Sequence, residues 1–331
     1  MPEASSFNSL SVIIPTYNRK HLVAKALSGY LAQSLPELIR ELLVVDDGST
    51  DGTESLVREL SERSPFPIRY LHQPNKGPAA ARNLGIREAR SSLVLFTDSD
   101  IIPKADLVQQ HIEWHQRNPH PTTAVLGYVT WPPEINATPF MRWYGQGKLF
   151  EFDKLRNKRE ASFRSFYTCN LSLKIELLRA CGQFDEEFKS AAFEDVELGY
   201  RLSKQGLHLL YNKEAIGYHY QFFSFEDACR KSLGNASAAQ LFLRKEAGQD
   251  DVKETQRRHS RPGYALARAF SAAIARVLCP ARSLLDSSIP LPSFVYYLLL
   301  WDSIRRSTKQ SAVTNSPNAA QPHNPASLSG R

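Results

Sequence analysis

Three polar pairs, each standing directly behind a short apolar run, are the residues best placed to do chemistry. Thr16 and Tyr17 follow Leu10 to Pro15, Asp46 and Asp47 follow Glu41 to Val45, and Asp98 and Asp100 follow Leu93 to Thr97. Carboxylates are hard oxygen donors that suit Mg2+ or Mn2+, ions that usually divide their coordination between protein acids and the phosphates of a substrate. Alternation along the extended chain puts Asp98 and Asp100 on one side and turns Ser99 away. Each acid has a plainer reading as a turn former or helix cap. That three strand ends carry such pairs together favours a shared site.

The elements that must position these groups follow from the apolar pattern. Leu10 to Pro15, Glu41 to Val45, Ile68 to His72 and Leu93 to Thr97 read as short, mostly buried strands, and proline closes the first. Helical spacing of Leu22, Val23, Ala26, Leu27, Tyr30 and Leu31 predicts a helix capped by Asn18. Further helices are expected over 53–62 and 79–89. Strand and helix alternate, which predicts an α/β fold in which right-handed crossovers gather the strand ends at one edge, where open sheets bind ligands. Gly77 and Pro78 open the third helix with a close-approach N-terminus that attracts anions, and Lys76 and Arg82 add positive charge there.

Beyond Ile101 the spacing predicts a helix over 103–118, a strand over 124–131, an irregular aromatic segment over 132–162, a strand over 166–174 and a short helix over 175–181 ended by Gly182. The irregular segment reads either as a sugar-stacking lid or as an aromatic mini-core under a loop. Glu194 and Asp195 open a helix that runs to Leu202, where acids complement the dipole and the dipole in turn lowers their pKa. His208 and His219 fall in the closing strands.

Pro15-Thr-Tyr-Asn, Val45-Asp-Asp-Gly-Ser-Thr-Asp51, Asn75-Lys-Gly-Pro-Ala-Ala-Ala-Arg-Asn-Leu-Gly85 and Asp98-Ser-Asp100, in this order and spacing, resemble family 2 glycosyltransferases. The resemblance covers about residues 8–222. It implies a GT-A fold, that is, a Rossmann-like mixed sheet flanked by helices, with a donor half over about 8–102 and an acceptor half over about 103–222. It also implies a nucleotide-diphosphate sugar donor, a divalent cation and inversion at the anomeric carbon. Carried over, Pro15, Thr16, Tyr17, Asp46, Asp47, Gly77, Arg82, Asp98, Ser99 and Glu194 would bind the nucleotide-sugar. Tyr17 would stack on the base and either Asp46 or Asp47 would accept from base or ribose. Asp98, Asp100 and His219 would hold the metal, and Asp195 would be the catalytic base.

Two other classes compete with this reading. A sugar-phosphate nucleotidyltransferase is expected to carry a glycine-rich loop after its first strand, and Pro15-Thr-Tyr-Asn-Arg19 has none. A non-catalytic nucleotide-sugar binder would be free to lose Asp195, which is present. No Gln-x-x-Arg-Trp run of processive relatives occurs, so transfer of a single sugar to a hydroxyl is expected, on a polysaccharide, cell-surface or lipid-linked glycan.

With 331 residues and 42% hydrophobic composition the chain can bury a sizeable core. Its net charge of +7 is concentrated late, nine bases against three acids over 253–306. That segment predicts a helical, basic extension (223–306) that contacts either an anionic membrane surface or protein, with a disordered tail over 307–331. Bases and aromatics do not interleave as nucleic acid would require. Four cysteines lack disulfide or metal spacing, and neither a signal peptide nor an 18-residue apolar span is read, so a cytoplasmic location, peripheral at most on the inner face of the membrane, is expected.

Overall fold

The computed structural model describes residues 8–145, 149, 151–155, 157–250 and 284–314, with the backbone alone over 305–314. Residues 251–283 of the expected helical, basic extension and residues 315–331 of the expected disordered tail lie outside the described residues, while 307–314 of that tail are helical.

Strands β1 (Leu10–Thr16), β2 (Ile39–Asp46), β3 (Ile68–His72) and β4 (Leu93–Thr97) run parallel in the order β3-β2-β1-β4. Alternate side chains of β1 enter different cores. Ile13 packs with Leu43, Val45 and Phe96 on one face, and Val12 and Ile14 pack with Leu42, Val44 and Leu95 on the other. Burial on both faces is why these strands read as continuous apolar runs rather than alternating ones. Helices α1 (Lys20–Leu31) and α2 (Thr53–Ser61) cover one face through Val23, Leu27, Tyr30 and Val57, and α3 (Pro78–Glu88) covers the other through Ala79, Ala81 and Ile86.

The sheet continues with β8 (Asn170–Lys174), antiparallel to β4, then β6 (Thr123–Thr130), then β9 (His208–His219), which ends against β5 (Ile101–Pro103); β7 (Glu160–Ala161) also pairs with β9. Helix α4 (Leu107–Arg117) covers this half, α5 (Pro139–Tyr144) and α6 (Ile175–Cys181) lie in its connections, and α7 (Glu194–Lys204) packs beside the cleft. The mixed sheet expected from the sequence is therefore present.

Several local expectations differ. Asn18 does not cap α1: it sits at φ 50°, and Arg19 is the capping residue. The side-chain carbonyl of Asn18 accepts from Thr50 N–H instead, and its N–H donates to Ser49 Oγ. Helix α4 starts at Leu107 rather than Pro103, because Ile101–Pro103 is recruited as a strand by Gly217–His219. The strand after the irregular segment begins at Asn170, since a 3₁₀ turn over Phe163–Ser165 precedes it. The helical extension expected from 223 opens with two helices, α8 (Phe225–Gly234) and α9 (Ala236–Arg244), broken at Gly234-Asn235. The apolar run from Pro290 opens α10 (Ser293–Thr314), and no described helix is long and apolar enough to cross a membrane.

The aromatics of the irregular segment belong to a core. Phe140, Met141 and Tyr144 of α5 pack with Phe223, Ala228 of α8 and Tyr296 and Leu299 of α10. Tyr144 stacks on Phe223 at 5.1 Å. This cluster ties the C-terminal helices to the sheet and favours the mini-core reading over the lid.

Candidate active site

The C-terminal ends of β1, β2 and β4 open into a cleft of about 660 Å³ whose walls include α3, α7 and α8. Of the residues expected to act, Pro15, Thr16, Tyr17, Asp47, Gly77, Arg82, Asp98, Ser99, Asp100, Glu194, Asp195 and His219 all line it. Asp46 does not.

The two acids that end β2 are thereby separated. Asp46 is fully buried, accepting from Tyr70 Oη at 2.6 Å and Ser49 N at 2.8 Å, so it closes the turn. Asp47 faces the cleft and clamps the loop ahead of α3. Its Oδ1 accepts from Gln73 Nε2 at 2.7 Å and Lys76 N at 2.8 Å, and its Oδ2 accepts from Gly77 N at 2.8 Å. Gly77 has φ +94°, and a Cβ there would stand 2.8 Å from Lys189 O. Only glycine fits both the left-handed backbone and the close approach. Tyr17 remains 48% exposed over the cleft, an aromatic face open to a planar ring.

At Asp98-Ser99-Asp100 the extended geometry fails. Ile101 N donates to Asp98 O at 3.1 Å, so the chain turns, and Ser99 lines the cleft with its neighbours instead of pointing away. Each acid meets an arginine. Asp98 Oδ1 accepts from Arg82 Nη2 at 3.0 Å, and Asp100 Oδ2 accepts from Arg19 Nη1 at 2.9 Å. Arg82 is buried and also donates through Nη1 to Glu194 Oε1 at 2.8 Å.

Opposite these stands the first turn of α7, entered through Phe193 at φ 69°. Asp195 Oδ1 accepts from Val196 N at 2.7 Å. Burial raises its pKa to about 7, the charge of Glu194 adds to the rise and Arg82 opposes it. The helix dipole was expected to lower this pKa; desolvation beside a second carboxylate outweighs it. Burial likewise raises Glu194, against Arg82, and Glu194 Oε2 is buried without a hydrogen-bond partner. The buried Cys169 thiol has its pKa pushed well up by desolvation and then by Asp98, Asp195 and Asp100, so it sits amid those charges as a neutral thiol.

A divalent cation fits the donor set in part. Asp100 Oδ2 and His219 Nε2 stand 3.8 Å apart, and burial lowers the His219 pKa, which keeps its imidazole neutral for ligation. His219 is oriented edge-to-face on Trp131 at 5.0 Å. Among the described residues no group of three or more His, Cys, Asp or Glu assembles a complete metal site. Two protein ligands with Asp98 nearby match a cation that takes its remaining oxygens from phosphates.

Some lining residues went unnoticed in the sequence. Arg19 directly follows the Pro15-Thr-Tyr-Asn run, and that adjacency was a usable signal. Lys189 on the loop before α7, and Lys231 and Asn235 on or just after α8, carry no local pattern.

A mixed sheet of this topology with an acid-lined cleft at the parallel strand ends is the GT-A architecture. Over 97% of this chain and 90% of that one, the structure is similar to the mannosyltransferase PcManGT from Pyrobaculum calidifontis in complex with GDP-Man and Mn2+, at a TM-score of 0.63 and 22% identity. That likeness establishes the fold. In sequence, the chain is 33% identical over 242 residues to the validoxylamine A glucosyltransferase of Streptomyces hygroscopicus subsp. limoneus, which covers 66% of this chain and 53% of that one. It is 29% identical over 269 residues to the chondroitin synthase of Escherichia coli, over 72% and 38% of the respective chains. It thus spans about half or less of the length of these relatives. Residues 11–173 match the model for glycosyl transferase family 2, and the chain belongs to that family.

Proposed function

We propose that this chain is an inverting glycosyltransferase that moves a single sugar from a nucleotide-diphosphate sugar to a hydroxyl acceptor. The observation that carries the reading is the convergence of Asp47, Asp100 and Asp195, from β2, the turn after β4 and α7, on one cleft. Tyr17 offers a stacking face for the base, and Asp47, which accepts three hydrogen bonds from the loop it clamps, fixes the N-terminus of α3 toward the donor and keeps acceptor capacity on Oδ2. Of the pair Asp46 and Asp47, the cleft-facing position supports Asp47.

Asp195 acts as base. With a pKa raised to about 7 it is a stronger base near neutral pH than a carboxylate of ordinary pKa. The acceptor oxygen then forms its bond to the anomeric carbon from the face opposite the diphosphate, and the bond from that carbon to the phosphate oxygen breaks. Asp100 and His219, with Asp98, would hold a divalent cation that neutralises charge on the departing diphosphate. The wall that receives the acceptor includes Tyr144, Tyr167 and the α8 side chains Lys231 and Ser232.

Binding of the donor is tested by screening nucleotide-sugars for protection against heating, with and without Mn2+ or Mg2+. Protection by at least one donor, strengthened by the metal, is expected; none from a full panel would remove the donor site. Contact of the basic 253–306 segment with an anionic, lipid-bearing acceptor or membrane face belongs to the same proposal. It is checked by sedimentation with anionic vesicles, where failure to co-sediment removes it.

A further inference from the structure

The two arginines that hold the Asp98 and Asp100 carboxylates are not alike. Arg82 is buried and gripped from two sides, by Asp98 and by Glu194. Arg19 is 46% exposed in its side chain, and Asp100, at 6%, is its one ion-pair partner among the described residues.

The root of Arg19 is nevertheless fixed. Its carbonyl accepts from Leu22 N at 2.9 Å and Val23 N at 3.0 Å, and Asn18 before it is tied to the 49–50 turn. A long, solvated side chain on an immobile backbone can move its head group by several ångströms without disturbing the fold. Its head group lies on Asp100 Oδ2, the oxygen that also faces His219 Nε2 at 3.8 Å. A guanidinium and a dication repel each other and compete for the same lone pairs, so they cannot share that oxygen at full strength.

We propose that Arg19 and the divalent cation exchange on Asp100 Oδ2, and that the displaced guanidinium turns onto the diphosphate of the donor. The inference rests on the cation reading of the site given above. Asp100 is a nearly buried carboxylate beside a neutral imidazole and needs a positive partner. Arg19 supplies one that is weakly held and removable, and its planar fork matches phosphate oxygens once it is released. Arg82, locked by Glu194, stays in place while Arg19 moves. Arg19 in this way serves both groups, leaving Asp100 to the cation and then contacting the diphosphate.

The test titrates Mn2+ alone into the full chain and follows the free ion by electron paramagnetic resonance, for the wild type and Arg19→Gln. Removing a half-exposed competitor is expected to tighten Mn2+ binding by about fivefold. Repeated with Mn2+ and either uridine or guanosine diphosphate, the same variant should hold the nucleotide more weakly than the wild type. Equal or weaker Mn2+ affinity in Arg19→Gln overturns the exchange while leaving the metal site standing. Absence of Mn2+ binding in both proteins, even with both nucleotides, overturns the cation reading itself and the exchange with it. Should Arg19→Gln fail to fold, Arg19→Met, which removes the charge and keeps an unbranched stem, decides: Mn2+ affinity above wild type supports the exchange, and unchanged affinity overturns it.

Discussion

Arg82 and Glu194, 112 positions apart in the chain, meet at 2.8 Å with both side chains nearly buried in the cleft wall, and the other arm of the same guanidinium reaches Asp98. One buried cation thus joins the carboxylate beside the proposed base to the carboxylate beside the proposed metal. Arg82→Met should cost about 3–5 kcal/mol of stability, because it strands Glu194 as an unpaired buried charge. Urea unfolding monitored by circular dichroism checks it; a loss below 1 kcal/mol would mean Glu194 simply takes up a proton.

Asp195→Asn should reduce transfer by several orders of magnitude and leave donor affinity within about twofold. In the wild type the base must be deprotonated to act, and its pKa is raised to about 7. The turnover rate should therefore fall as pH drops through about 7 and level off above it. An inflection near 4 would show that the carboxylate is not desolvated when the substrates are bound.

Gly77→Ala combines a left-handed backbone with a Cβ set 2.8 Å from Lys189 O. Strain of this kind costs about 1–3 kcal/mol, and pushing the 189–193 loop outward should also weaken donor binding. Thermal unfolding and nucleotide titration measure the two effects separately. A fully active, fully stable variant would show that the loop yields freely.

Several element boundaries were legible in the sequence. Ile68–His72, Leu93–Thr97 and Ile175–Cys181 fall where the apolar runs and Gly182 put them, since those boundaries are set by local chemistry. Other expectations failed where a distant partner decides. Pro103 is drawn into a strand by Gly217 across the sheet, and Asn18 is turned from a cap into a clasp by the 49–50 turn. The distinction between Asp46 and Asp47 was illegible for the same reason, because Tyr70, Gln73 and the loop over 76–77 decide which carboxylate faces inward. Lys231 reaches the cleft only because α8 is anchored through α5, and nothing local to it announces that.

His111 and His115 also escaped notice. Both are fully buried on α4: His111 bonds Ser172 Oγ at 2.8 Å and Asn170 Oδ1 at 2.9 Å, and His115 bonds the same Ser172 Oγ at 2.9 Å. Burial lowers the His111 pKa to about 4 and carries that of His115 well down. Between about 6.5 and 4 the unfolded chain binds protons that the folded chain refuses, so stability falls as pH falls through that window. Over the step from pH 7 to pH 5, His111 alone should contribute a loss of about 2 kcal/mol. His111→Gln, though less stable at pH 7, should show a shallower decline; an identical slope would mean that the ring takes up its proton within the fold.

The wall that would meet the acceptor hangs from aromatic packing among α5, α8 and α10, whereas the wall that would meet the donor is made of strand ends. A lineage of such chains can therefore rewrite the helical side with little penalty to the sheet. Acceptor preference is the trait expected to drift fastest among descendants, and grafting α8 between paralogues is the shortest route to a new one.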